Sequence, residues 1–290
     1  MLSDADVERL LQGTGIERIS TRDEQEAAGY AEVVELIVSS HHLIPLSENH
    51  IRQLHRDLLR HSEKDERHRG HYKSSPNNVT AFDEQGRPVG VVFQTATPFE
   101  TPRLMSKLVD WTNAALNDPD THPLVTAGVF TVVFLAIHPF QDGNGRLSRL
   151  LTTLLLLRSG YAFIPFGSLE AVIERTKSDY YLSLRRTQGT LRSPEQDWQP
   201  WLEYFLGAIT EQVEQLERRV AQADRALGPL PPLSRAIAEH ARTQGRVTMA
   251  EAIRITGAKR ATLKQHFRKL VARGILKHHG VGKGSWYSGG

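Results

Sequence analysis

The sequence predicts a mainly α-helical fold with a small β-hairpin flap, followed by a small winged helix-turn-helix domain, and three observations carry this. Apolar residues recur at helical spacing through most of the first 227 positions. One polar stretch, residues 61–102, interrupts that pattern and holds two short β-prone runs. A stiff Gly228-Pro-Leu-Pro-Pro segment then separates this body from a strongly basic tail.

Taken in order, Asp4 to Gln12 forms a short amphipathic helix that Gly13 and Gly15 end. A second helix starts at Ser20 or Thr21 and runs to about Ser39, its inward stripe being Tyr30, Val33 or Val34, and Ile37. After the break at Pro45, Ser47 caps a helix from Glu48 to Leu59, with Ile51, Leu54, Leu58 and Leu59 apolar. In the polar stretch, Val79–Phe82 pairs with Val89–Phe93 across Asp83-Glu-Gln-Gly, and such a hairpin in a long loop suits a substrate-binding flap. Helices follow at Arg103–Leu116, Leu124–Ile137, Arg146–Arg158, Leu169–Glu174, Ser178–Thr187 and Trp198–Leu227. The helix Leu124–Ile137 is apolar nearly all round and belongs at the centre of the core. In the tail, Leu233–Thr243, Met249–Thr256 and Lys259–Ala272, with a turn at Gly257 and a Gly- and Lys-rich stretch from Ile275 to Tyr287, outline a winged helix-turn-helix. The expected organisation is N-terminal helices over 1–46, a helical domain with its long following helix over 47–227, a linker over 228–232 and the tail domain over 233–290.

The 290 residues include no cysteine, which excludes disulfides and thiolate-held metals and fits a cytoplasmic protein. The opening MLSDADVERLL is acidic and amphipathic, so no secretory signal is expected. The longest apolar stretches, 124–137 and 150–157, fall short of the roughly 20 residues a bilayer needs, so no membrane span is expected. The formal net charge of +3 hides an asymmetry. From Pro231 onward there are twelve basic side chains against Glu239 and Glu251 alone, whereas the preceding 230 residues hold 24 basic and 31 acidic ones. An acidic body with a basic tail implies two separate jobs.

The chemistry concentrates in HPFQDGNGRLSR, residues 138–149. Pro139 disfavours helical backbone at His138, which therefore closes a helix and faces a loop, where an imidazole can accept a proton from a hydroxyl. A histidine favoured there only by the helix dipole is the alternative. Asp142 offers an oxygen ligand suited to Mg²⁺, or simply an Asx-turn before Gly143. Gly143-Asn144-Gly145 lets backbone approach a ligand and opens a helix whose first N–H groups attract anions. Arg146 and Arg149, about 4.5 Å apart along one helix face, oppose the dipole there, which makes sense if phosphates lie between them. Phe140 reads as an apolar anchor. His41-His42, His68 with His71, and His278-His279 lack metal spacing and read as surface residues.

The string matches HxFx(D/E)GNGRxxR, the signature of Fic-domain proteins, at all eight specified positions, and the chain resembles that family from about Ser47 to Leu206. The resemblance implies an all-α domain with the motif between two central helices, a hairpin flap, and transfer of AMP from Mg-ATP to a Ser, Thr or Tyr hydroxyl of a target protein. His138 would be the base, Asp142 would hold Mg²⁺, Asn144, Gly145 and Arg146 would cradle phosphates with Gly143, and Arg149 would grip the γ-phosphate. Tyr180 and Tyr181 resemble a position near the nucleotide base, with ordinary core and rim aromatics as the alternative.

Ser20-Thr-Arg-Asp-Glu24-Gln resembles the family's inhibitory motif (S/T)xxxE(G/N), although Gln25 stands where Gly or Asn is usual. In that reading Glu24 pairs with Arg149 and displaces the γ-phosphate; the alternative is a capping box formed by Thr21 and Glu24. In the tail, Lys259, Arg260, Lys264 and Arg268 share a helix fit for a DNA major groove, or for docking a protein. Expected partners are thus a target hydroxyl, the chain's own included, DNA, and a second copy as homodimer. Two other functions remain open: a DNA-binding regulator whose body senses nucleotide, and an enzyme that removes AMP with Glu24 positioning water.

Overall fold

A computed structural model describes residues 22–82, 88–227, 230–280 and 282–289. The helix expected at Asp4–Gln12, Ser20, the tip of the hairpin and residues 228–229 of the linker lie outside them. The chain divides into two compact units between Glu214 and Gln215.

The first unit is a helical bundle. Its elements are α1 (Arg22–Ser40), α2 (Glu48–Leu58), the strands β1 (Val79–Phe82) and β2 (Pro88–Phe93), α3 (Thr101–Asn117), α4 (Pro123–Ile137), α5 (Asn144–Arg158), α6 (Leu169–Arg175) and α7 (Lys177–Thr190), with α8 (Gln199–Leu227) beginning in it. The Ser47 hydroxyl accepts from the His50 N–H and starts α2 as expected. α4 lies centrally, packed on α3, α5 and α7, which is why its sequence is apolar on every side. Two polar contacts let it be buried. Thr131 and Thr152 join α4 to α5 through their hydroxyls at 2.7 Å, and Trp201 Nε1 donates to the Gly128 carbonyl at 2.7 Å. Phe130, Phe134, Leu147, Leu151, Leu154, Trp201 and Phe205 fill the space between.

α1 rests on α2 and α5. Val33 and Ile37 are its fully buried stripe residues, Tyr30 and Val34 flanking them half-buried. β1 and β2 pair antiparallel, Val79 opposite Phe93 and Phe82 opposite Pro88. Strand β2 begins one residue earlier than expected, at Pro88, a position where a proline's missing N–H is tolerated. The helices expected within the described residues recur, with boundaries shifted by up to three residues.

The second unit holds α9 (Pro232–Gln244), β3 (Val247–Thr248), α10 (Met249–Thr256), α11 (Arg260–Ala272), β4 (Leu276–His279) and β5 (Trp286–Gly289). The strands form an antiparallel sheet of order β3-β5-β4. Thr248 and Glu251 make a complete capping box at α10, and Gly257 ends that helix with a positive φ. Ile237, Val247, Leu263, Phe267, Leu270 and Leu276 form a separate core. His279 departs from the surface expectation: it is half-buried, stacked on Trp286 at 4.1 Å. No helix among the described residues is long and apolar enough to cross a membrane.

Candidate active site

The motif loop joins the C-terminus of α4 to the N-terminus of α5. His138 caps α4 in the left-handed conformation, φ 54° and ψ 59°, the one non-glycine residue with positive φ among those described. Its N–H still donates to the Phe134 carbonyl at 2.8 Å, so Pro139 ends the helix where expected. Nδ1 lies 3.3 Å from the Leu135 carbonyl, which can only accept, so the proton sits on Nδ1 and the Nε2 lone pair is left for chemistry. Burial is the main reason the imidazole's pKa falls to about 4; the hydrogen bond to Leu135 opposes the fall and the charge of Lys73 adds to it.

Gly143 turns the chain into α5 at φ 78°, a conformation glycine adopts freely. Phe140 is fully buried and anchors the loop. Asn144 is 2% exposed and its side chain braces the loop internally, accepting from the Phe140 N–H at 2.9 Å and donating to the Phe140 carbonyl at 2.7 Å. Anything Asn144 offers a phosphate would come through its backbone at the helix N-terminus.

A cleft of about 440 Å³ brings His138, Gly145, Arg149, Tyr180 and Tyr181 together, with Asn77, Asn78, Leu135, Gln141, Leu184, Arg185 and Gln188 completing its walls. Tyr180 is buried and Tyr181 is 52% exposed. A cavity of about 1000 Å³ elsewhere in the unit contains no motif residue. Convergent polar groups, not size, make the smaller cleft the candidate site. Asp142 and Arg146 are not among its lining residues.

Both motif arginines meet carboxylates. Arg149 Nε lies 2.9 Å from Glu170 Oε1, and Arg146 Nη1 lies 3.0 Å from Glu26 Oε2 on α1. Burial is the largest single influence and works against the Arg149 charge, but Glu170, Tyr30 and Tyr180 together outweigh it and hold the guanidinium pKa above its ordinary value. The buried Tyr30 hydroxyl also faces Glu170 and Arg149; burial first, then the Glu170 charge, raise its pKa. Arg146 Nη2 is 3.8 Å from Asp142 Oδ1, whose carboxylate accepts from the Gly143 N–H at 2.6 Å. One partly exposed carboxylate beside a glycine-flanked helix N-terminus is a donor set that Mg²⁺ commonly uses, since that ion takes most of its ligands from phosphates and water. The site therefore fits the ion through Asp142.

Sequence reasoning missed His55. Its ring stacks on Phe140 with centroids 3.8 Å apart, Nδ1 accepts from the Gly70 N–H at 2.8 Å, and Nε2 donates to the Asp142 carbonyl at 3.0 Å. Burial lowers its pKa to about 4, so it braces the loop as a neutral ring. The available signal was local: His55 sits beside Leu54 on a helix whose buried positions are otherwise apolar. Glu26 and Glu170 were also missed.

Residues 45–156 match the model of the Fic/DOC family. The protein adenylyltransferase fic-1 of Caenorhabditis elegans is 33% identical over 97 residues, which is 32% of this chain and 17% of that protein, so the chain matches about a sixth of its relative's length. A Fic family protein from Desulfovibrio desulfuricans G20 shares the fold, with a TM-score of 0.60 at 22% identity over 100% of this chain and 82% of that one. A Fic domain containing signaling protein from Bacteroides thetaiotaomicron aligns with a TM-score of 0.52 at 27% identity, over 74% and 75% of the two chains. With the motif inside that match, residues 45–156 are a Fic/DOC family domain.

Proposed function

We propose that this chain transfers AMP from ATP to a hydroxyl of a protein, releasing pyrophosphate. The observation that carries the reading is a neutral His138 with a free Nε2 in the same cleft as Gly145 and Arg149 at the N-terminus of α5. Nε2 takes the hydroxyl proton, the hydroxyl oxygen bonds to the α-phosphorus, and the bond from that phosphorus to the oxygen bridging the β-phosphate breaks. The N–H groups opening α5 and Arg149 hold the phosphates. A Mg²⁺ held by Asp142 would neutralise negative charge on the phosphates. Tyr180 and Tyr181 line the same cleft as Arg149 and would flank the base. Target proteins are the substrates of the adenylyltransferases this chain resembles, and the chain itself is one candidate target.

The same reading makes α1 a brake. Arg146 and Arg149 need free guanidinium groups to hold phosphates; Glu26 of α1 lies 3.0 Å from Arg146 Nη1, while the carboxylate on Arg149 Nε is Glu170 of α6. Glu24 lies half-buried in the first turns of α1, two residues before Glu26, and is proposed to compete with the γ-phosphate for Arg149. Incubating wild type and Glu24→Gly with α-labelled ATP tests reading and brake together. Label is expected on protein, rising about tenfold in the variant, the size of a typical 1.4 kcal/mol coupling. No label on any protein in either form counts against transfer; equal label in both removes the brake.

The tail is proposed to bind DNA as a winged helix-turn-helix, because Lys259, Arg260, Lys264 and Arg268 are all exposed on or beside α11. If four of them meet phosphates, a plot of log affinity against log salt should have a slope of about −3.6. Salt-independent retention would point to a protein partner.

A further inference from the structure

The reaction scheme leaves unused a polar cluster directly behind His138. Lys73 is only 4% exposed, and its Nζ donates to the Ile137 carbonyl at 2.9 Å, Asn77 Oδ1 at 2.8 Å and Thr95 Oγ1 at 3.0 Å. Its backbone N–H donates to the Pro139 carbonyl at 2.8 Å. Asn77 Nδ2 donates to the His138 carbonyl at 3.1 Å and the Phe140 carbonyl at 2.6 Å. Each of four consecutive carbonyls, from Ile137 to Phe140, therefore accepts from Lys73 or Asn77, that of Phe140 from Asn144 as well.

That stretch contains the left-handed His138, a conformation that persists only where surroundings enforce it. Carbonyls at the end of a helix need outside partners in any case. A buried ammonium is a costly way to supply one, and its burial pulls the Lys73 pKa down to about 8. The cluster also reaches the flap. Thr95 Oγ1 donates to Asn77 Oδ1 at 3.0 Å, and Asn78 Oδ1 accepts from the Thr95 N–H at 3.1 Å, so the residues just before β1 and just after β2 are held to the same anchor.

We propose that Lys73 and Asn77, footed on Thr95, are positioning residues that fix the backbone of His138, and so its imidazole, relative to a hydroxyl presented at the flap. Only the turnover part of this rests on the transferase reading. Holding a base within a few tenths of an ångström matters because a displacement near 1 Å costs about 10²-fold in rate.

Asn77→Asp is the discriminating variant. It keeps an oxygen for Lys73 and Thr95 and removes the donor to the His138 and Phe140 carbonyls. Transfer should slow about 10²-fold in kcat while KM for ATP stays within about threefold, the pattern of a lost transition-state contact. Amide hydrogen exchange over residues 138–143 should accelerate, with exchange in α4 away from the loop unchanged. Lys73→Met should give the same pattern. Unchanged loop exchange in Asn77→Asp overturns the clamp, and faster exchange with wild-type kcat overturns its positioning role. A wild type that transfers no label refutes the transferase reading separately, and the exchange measurement then still decides whether Asn77 holds the loop.

Discussion

His138→Ala is expected to lower AMP transfer by 10²- to 10⁴-fold, about the full contribution of a positioned general base. The expectation follows from the state of the ring. Nδ1 is spent on the Leu135 carbonyl, and burial drives the pKa to about 4, so between pH 6 and 8 almost every molecule carries a neutral imidazole with Nε2 able to accept a proton. Over that range this group should leave transfer independent of pH, and the rate should fall only as pH drops towards 4. Stability has the same sign. The folded pKa lies below the unfolded value of 6.5, so stability present above pH 6.5 declines as pH falls and is lost through about pH 4. Alanine also tolerates the left-handed backbone poorly, so His138→Asn is the control, since asparagine adopts that conformation more readily. Both variants should lose transfer, measured as label per protein, while ATP binding persists. Activity within tenfold of wild type in both would remove His138 from the chemistry.

The motif loop was legible because its evidence is local. Pro139 after His138, two glycines around Asn144 and two arginines three apart all lie within twelve residues, the range over which turn and helix geometry determine what a side chain meets. The helices were legible for the same reason, their apolar periodicity being a local record of one buried face. What holds the loop was not legible. His55 and the Asp142 carbonyl are 87 positions apart, Lys73 and the Ile137 carbonyl 64, and nothing in the spacing of either pair joins them before the bundle forms. Residues 61–78 looked featureless because they form no long helix or strand, yet Lys73 and Asn77 brace the loop directly and Gly70 holds His55, which braces it in turn. Glu170 was hidden similarly: it reads as an ordinary acidic residue in the first turn of α6, and only the packing places it on Arg149.

Gly29→Ala is the second large effect, and its sign separates two physical causes. On helix propensity alone, alanine within α1 should stabilise the protein by up to about 1 kcal/mol. The packing argues the opposite way. A Cβ at Gly29 would lie 2.1 Å from the Leu58 carbonyl oxygen and 3.0 Å from its carbon, and a backbone carbonyl has no rotamer to escape through. α1 and α2 must therefore move apart, an overpacking strain of about 1–3 kcal/mol that exceeds the propensity gain, so a net loss of about 1–2 kcal/mol is expected in urea denaturation. The displacement acts on the helix that brings Glu26 to Arg146 and Tyr30 to Arg149. If α1 restrains the site, the less stable variant should carry more label than wild type, because those contacts lengthen before the body unfolds. A rise in stability would show that the close approach of α1 and α2 is not a feature of the folded protein. Label falling in step with stability would make α1 a support of the site, and the brake would then have to lie elsewhere.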